Sequence, residues 1–310
     1  MSGFHPVPGM QLALGPTVFE FVAYPLFPGD RETVFVVEGA EGLIYQIRDI
    51  QSAHLHALKV FKPSYRSRHI AAITQYLTRM AALPGLIFAY RFCITREQYP
   101  VLLSTFPELE YAILMPWIEA PSWAGLLCDQ AASARYTREE ARKLAQATAQ
   151  LLASLEAHGV AHADIAGGNI LLLPGEPRVQ LLDCEGMYVP GMPAPPRLSY
   201  GSPGYQHRNP GPQGYWCLAG DRFAGAILLT EMLTWWEPTV RARVADYADT
   251  LFRPEELQGP GTALWQTVRN VLYALHPDLL RLFDQAWMSP SLTGCPDLAT
   301  WAMTLLPKFY

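Results

Sequence analysis

The chain has 310 residues, half of them hydrophobic, which is enough apolar surface to bury one large core or two cores sharing a cleft. Its formal net charge of -5, from 23 basic and 28 acidic residues with no basic run, lacks the electrostatic footprint of a nucleic-acid binder. No apolar run reaches membrane-spanning length and the first residues lack signal-peptide character, so a cytoplasmic protein without a membrane partner is expected.

In chain order, residues 1–30 read as an N-terminal extension packed on a β-rich lobe. Three strand-like runs follow at residues 33–37, 43–47 and 57–61, with Gly39 and Gly42 making the first turn. Helical spacing covers residues 67–83 and stops at Pro84 and Gly85, and residues 111–118 form an apolar run of strand length broken by Pro116. Thr137, Arg138, Glu139 and Glu140 have capping-box form, opening a helix that stops at His158 and Gly159. Residues 169–173 and 179–182 read as short strands around the turn at Pro174 and Gly175. The stretch 189–214, rich in Pro, Gly and Tyr, reads as an ordered irregular loop, and residues 221–234 and the Trp- and Leu-rich remainder as helices. The expected class is α+β, a β-rich part joined to a helix-rich part. Cys93, Cys128, Cys184, Cys217 and Cys295 lie far apart without paired ligand spacing, so reduced and mostly buried thiols are expected rather than disulfides or a zinc site.

The densest chemistry lies in His162, Ala163, Asp164, Ile165, Ala166, Gly167, Gly168 and Asn169, followed by Asp183, Cys184 and Glu185. Phosphoryl transfer needs a carboxylate to orient the attacking hydroxyl, and the magnesium that bridges the phosphates is held by only a few protein oxygens. Asp164 suits the first task. Asn169 and Asp183 suit the second, because a loop and a neighbouring strand end can bring their oxygens to one point.

This segment resembles the protein kinase superfamily, in particular a divergent bacterial Hanks-type serine/threonine protein kinase, whose catalytic loop has His-Arg-Asp followed by Asn, with a metal-binding Asp on the next hairpin. Further similarities run in family order from about residue 33 to about residue 234. Ala57, Leu58 and Lys59 resemble the third-strand Val-Ala-Ile-Lys, and Gly39 to Tyr45 look like the later part of the glycine-rich loop, with Val37 where its first glycine would stand. Ile113 to Ile118 are similar to the strand and hinge against which adenine rests. Gly201 to Asn209 resemble the end of the activation segment, and Asp221 to Thr234 the buried helix after it.

The resemblance implies a bilobal fold, with residues 31–115 as the small lobe and 116–310 as the large one, and ATP and Mg²⁺ as cofactors. By it, Lys59 contacts the α and β phosphates, Gly39 and Gly42 let backbone N–H groups approach them, and Ile44, Ala57 and Met115 line the nucleotide site. Met115 would be the gatekeeper, and the backbone of Trp117 and Ile118 would face the base. Asp164 would act as base or hydroxyl orienter, and Asn169 and Asp183 as metal ligands. The implied partner is a protein carrying the acceptor Ser or Thr, or a regulatory protein if the chain is a pseudokinase; a small-molecule phosphotransferase is a third reading.

Several positions depart from the family pattern. No acidic residue occurs from Val60 to Arg96 to pair with Lys59, and Gln75 stands nearest the expected place. Ala163, Ala166 and Gly168 replace cationic residues, so an activation segment phosphorylated at Ser199, Tyr200 or Ser202 would lack its ion-pair partner. Asn209 stands where the segment normally ends in Glu, and no Arg follows Leu282 to pair with one. In an extended stretch Asp183 and Glu185 would point to one side, which offers Glu185 as a second metal carboxylate; a backbone cap or a pair with an arginine is its other role. His162 is expected to bridge the loop and the metal hairpin, and Cys184 to act as a small buried residue.

Overall fold

The computed structural model describes residues 4–24, 33–86, 91–175, 178–244 and 248–306. The chain divides into two compact units, Met1–Glu119 and Ala120–Tyr310.

The first unit is built on one antiparallel sheet. Its strands are β1 (Gln11–Leu14), β2 (Thr17–Phe21), β3 (Val36–Glu38), β4 (Gly42–Asp49) and β5 (Leu55–Phe61). After α1 (Arg68–Thr78) come β6 (Phe92–Cys93), α2 (Pro100–Thr105) and β7 (Ile113–Pro116). The order across the sheet is β1-β2-β4-β5-β7-β6, with β3 also on β4. One edge of β4 is shared: Leu43 to Tyr45 pair with β3, and Ile47 to Asp49 with β2.

The three expected strands of residues 33–61 form. The extension read over residues 1–30 does more than pack, because β1 and β2 are themselves strands of the sheet; residues 1–3 and 25–30 lie outside the described residues. Its alternation is of period two: Leu12, Leu14, Phe19 and Phe21 are buried while Gln11 and Ala13 are exposed. These side chains join Phe4, Tyr45, Ile47, Leu58 and Val60 in one apolar cluster.

The helices of the second unit begin with α3 (Trp123–Cys128), α4 (Gln130–Arg135) and α5 (Arg138–Ala157). The hairpin β8 (Ile170–Leu173) and β9 (Arg178–Leu181) follows, in antiparallel register from Ile170 opposite Leu181 to Leu173 opposite Arg178. After a long irregular segment come α6 (Arg222–Thr234), α7 (Pro238–Arg241), α8 (Ala263–Leu275), α9 (Pro277–Met288) and α10 (Leu298–Leu305). The capping box read at Thr137 is present, with Thr137 and Glu140 satisfying each other's backbone N–H groups. Every residue of α6 from Phe223 to Thr234 is buried, its apolar side chains on all sides and with them Thr230, Glu231 and Thr234. It is the axis on which α5, α8, α9 and α10 pack.

The fold is therefore α+β. Among the described residues no helix is long and apolar enough to cross a membrane, and the cysteines are free thiols, with Cys93, Cys184 and Cys295 buried.

Candidate functional site

In the first unit, strand register decides which side chains share a face. Ile44 lies opposite Lys59, and Ala57 opposite Met115, so Ile44, Ala57, Lys59 and Met115 all project from one face of the sheet. The other face carries Tyr45, Ile47, Leu58 and Val60 into the apolar cluster. Gly39 and Gly42 flank the turn between β3 and β4, closed by the Gly39 N–H donating to the Gly42 carbonyl at 2.9 Å. The two glycines differ in kind. A Cβ at Gly42 would fall on the Val60 carbonyl oxygen, whereas one at Gly39 would meet nothing nearer than 3.8 Å. Trp117 donates its N–H to the Leu55 carbonyl at 3.2 Å and sets its ring edge-on to Phe35, and Ile118 follows it, half-buried.

Lys59 is buried, 3 % exposed, and its ammonium needs counter-charge in that setting. Gln75, the nearest polar residue on α1 by the sequence reading, is exposed. A carboxylate that does reach Lys59 belongs to Glu41, in the glycine-flanked turn, with Oε2 at 2.8 Å from Nζ. The expectation looked for this acid in the helix after the lysine; the turn before it lies closer, because Glu41 immediately precedes the strand paired with β5. Nothing in the spacing marked Glu41 out from any exposed turn residue.

In the second unit, the loop of residues 162–169 is organised by Asp221, which immediately precedes α6. Its Oδ2 accepts the His162 N–H at 2.6 Å and its Oδ1 the Ala163 N–H at 2.8 Å. Asp221 is 2 % exposed, and burial pushes its carboxyl up, opposed by His162 and the two N–H groups. Ala163 is left-handed at φ 67°, a strained conformation for a residue with a Cβ, held against the Asp221 bond. The His162 ring reaches the Leu182 carbonyl with Nε2 at 2.6 Å, the bridge expected of it. Burial works against the charged form of His162, but the Cys184 sulfur, the Asp221 carboxylate and the Leu182 carbonyl outweigh it and raise its pKa.

Asp164 and Asn169 come together. Asn169 Nδ2 donates to the Asp164 carbonyl at 2.9 Å, and Asp164 Oδ1 accepts the Ser202 hydroxyl at 2.9 Å. Ser202, read from sequence as a possible phosphate carrier, is thus committed to the carboxylate. The Leu182 N–H donates to the Asn169 carbonyl at 2.9 Å, which sets the residue before Asp183 against the loop. Asp183 is exposed and left-handed at φ 52°, and Cys184–Gly186 form a single 3-10 turn. The extended geometry assumed for residues 183–185 therefore does not form, and Glu185 is buried where Asp183 is not. Among the described residues no group of three or more His, Cys, Asp and Glu side chains is arranged to hold a metal ion. The donors offered by Asn169 and Asp183 are hard oxygens of the kind magnesium takes in small number, with the Asn169 amide nitrogen already committed to a carbonyl.

A second carboxylate, unmarked by the sequence reading, ties the neighbouring segment to the core. Glu231 of α6 accepts the Trp123 indole N–H at 3.0 Å, the Tyr205 hydroxyl at 2.6 Å and the Leu251 N–H at 2.6 Å. Burial pushes its carboxyl up to about 7 against those donors. Gly167 sits under this cluster: a Cβ there would lie 2.9 Å from both Trp123 Cδ1 and Tyr205 Oη, while Gly168 has open space. Beside them a cavity of about 940 Å³ is lined by Gly168, Asn169, Ser202, Tyr205, Arg243 and Asp249, among others.

Asn209, expected to have lost a buried ion pair, lies in a segment docked by hydrogen bonds to backbone carbonyls. Its Nδ2 reaches the Pro290 carbonyl at 3.0 Å, Arg208 reaches the Met288 and Ser289 carbonyls, and the His207 ring lies 3.2 Å from the Ser289 carbonyl oxygen.

Comparison with protein-family models gives no match to this chain, and comparison with curated proteins gives none either.

Proposed function

We propose that the chain is a protein-kinase-like phosphotransferase that uses ATP and Mg²⁺ and acts on Ser or Thr of a protein substrate. The observation that carries this reading is the loop of residues 162–169, whose backbone is clamped by a buried carboxylate so that Asp164 and Asn169 are presented together. Asp164 accepts a hydroxyl already, from Ser202, which is the bond an acceptor Ser or Thr would need to make with it in being oriented for attack. The sheet face bearing Ile44, Ala57, Lys59 and Met115 suits the nucleotide, with Lys59 on the α and β phosphates and the backbone of Trp117 and Ile118 at the base. Asn169 and Asp183 would hold Mg²⁺, which when bound neutralises charge on the phosphates. The cavity beside Asn169 and Ser202 offers room for an acceptor segment.

The test is transfer of radiolabelled γ-phosphate from ATP to the chain itself and to a Ser- and Thr-rich protein, for wild type and for Asp164→Asn. Loss of the carboxylate should lower the rate by about 10²–10⁴-fold while ATP binding persists. Equal labelling by the two proteins would remove the catalytic reading and leave a nucleotide-binding pseudokinase. Transfer to sugars, choline or aminoglycosides in preference to protein would shift the proposal to a small-molecule phosphotransferase. Independently, Lys59→Ala should abolish stabilisation of the fold by ATP against heat.

A further inference from the structure

We infer that Gln46 reads the edge of the nucleobase, with the rings of Phe35 and Trp117 as the surface against which the base lies. The inference rests on the nucleotide-binding reading given above and adds to it a side chain that selects the base.

Strand register brings these groups together. The Gln46 N–H donates to the Phe35 carbonyl at 3.1 Å, Gln46 lies opposite Ala57, and Ala57 lies opposite Met115. Phe35, Gln46, Ala57 and Met115 thus form one row across the sheet, on the face that also carries Ile44 and Lys59. Trp117, two residues beyond Met115, projects from the same face. The Phe35 and Trp117 rings meet edge to face with centroids 5.3 Å apart. The strands that carry them are separated by β4 and β5, which is about 14 Å of backbone at ordinary strand spacing. Each ring therefore leans inward over the middle of the row, and Tyr24 backs Phe35 by stacking on it at 5.4 Å.

Gln46 is 8 % exposed. Its backbone is satisfied, with the N–H on Phe35 and the carbonyl accepting the Val22 N–H at 3.1 Å. Among the described residues its side-chain amide makes no hydrogen bond, and an enclosed amide is costly unless a polar group meets it. The neighbouring backbone offers a base little: Pro116 has no N–H, and the Trp117 N–H is committed to the Leu55 carbonyl at 3.2 Å. An amide presents one N–H donor beside one carbonyl acceptor, the complement of the adenine 6-amino group beside a ring nitrogen. Aromatic rings add stacking, which every base can accept.

The experiment is calorimetric titration, with Mg²⁺, of three ligands into wild type, Gln46→Met and Phe35→Leu, each checked for folding by its thermal unfolding curve. The ligands are ATP, purine riboside triphosphate, which lacks only the 6-amino group, and inorganic tripolyphosphate. Wild type should favour ATP over purine riboside triphosphate by about fivefold. Gln46→Met should weaken ATP by about tenfold, narrow that preference and leave tripolyphosphate unchanged. Phe35→Leu should weaken both nucleotides by a similar factor and spare tripolyphosphate; unchanged nucleotide binding removes the ring surface from the proposal. ATP binding by Gln46→Met equal to wild type, or an equal loss for all three ligands, overturns the role of Gln46 and leaves nucleotide binding standing. Absence of ATP binding by wild type overturns both. Should Gln46→Met fail to fold, the wild-type comparison decides: equal affinity for ATP and purine riboside triphosphate overturns the inference.

Discussion

The two candidate regions are positioned by different means. In the first unit, Ile44, Ala57, Lys59 and Met115 owe their common face to strand register, so their placement follows from backbone pairing and survives changes of side chain. In the second unit, Asp164 and Asn169 lie in a segment with no ladder of its own. That segment is held by side chains of α6 and its approach, Asp221 at the loop and Glu231 at Trp123, Tyr205 and Leu251. A sheet thus places groups through many small contributions, and an irregular loop through a few buried carboxylates, each carrying a large share.

The sharpest way to break this contrast is Asp221→Ala. Two buried N–H groups would lose their acceptor at about 1–3 kcal/mol each, so urea unfolding should show a loss of about 2–6 kcal/mol. Any substitution that keeps the backbone of β5 intact should cost far less in the placement of its neighbours.

Next in size is a pH effect from Glu231. Its folded-state pKa, about 7, lies above the ordinary 4.5, so the stability this group allows is complete below pH 4.5 and is lost as pH rises through 7. The loss amounts to about 3 kcal/mol on linkage grounds. Stability of Glu231→Gln, measured from pH 4.5 to pH 8, should be flatter than wild type over that window. A parallel pair of curves would show that the three donors keep Glu231 charged without penalty.

The glycines test steric fit in each unit. Gly42→Ala should cost about 3 kcal/mol, since its Cβ meets backbone, and Gly167→Ala about 1–3 kcal/mol, since its Cβ meets the Trp123 and Tyr205 side chains. Gly39→Ala and Gly168→Ala, with open space around them, should change stability by about 0.5 kcal/mol or less. Equal losses from Gly39 and Gly42 would show that the turn needs flexibility rather than close approach. The smallest clear effect is Thr137→Ala, which removes the α5 capping box for about 1 kcal/mol without touching either region.

Much of this was legible in the chain. Strand-like apolar runs at 43–47 and 57–61 announced β4 and β5, and Thr137 with Glu140 announced the start of α5, because these signals are local. The strands β1 and β2 carried a period-two alternation, through Leu12, Leu14, Phe19 and Phe21, but sat in a segment read as an extension, so their place in the sheet was missed. The loop residues Asp164 and Asn169 stood out only through the ordered set of resemblances around them, since an Asp and an Asn five apart are by themselves a common turn pattern.

What the sequence by itself determined is the kind of element at each stretch and the residue types available for chemistry, since propensity and periodicity act over a few neighbouring positions. Only the tertiary structure decided the partners: Glu41 for Lys59, Asp221 for the loop, Ser202 for Asp164, and Pro290 for Asn209. Three of those four pairs are separated by 38 to 81 residues or are met at the backbone of a distant helix approach, and the fourth crosses a turn whose fold alone brings acid to base. Charge and hydrogen bonding are satisfied by whatever the packed chain brings within reach, and no local pattern encodes that distance.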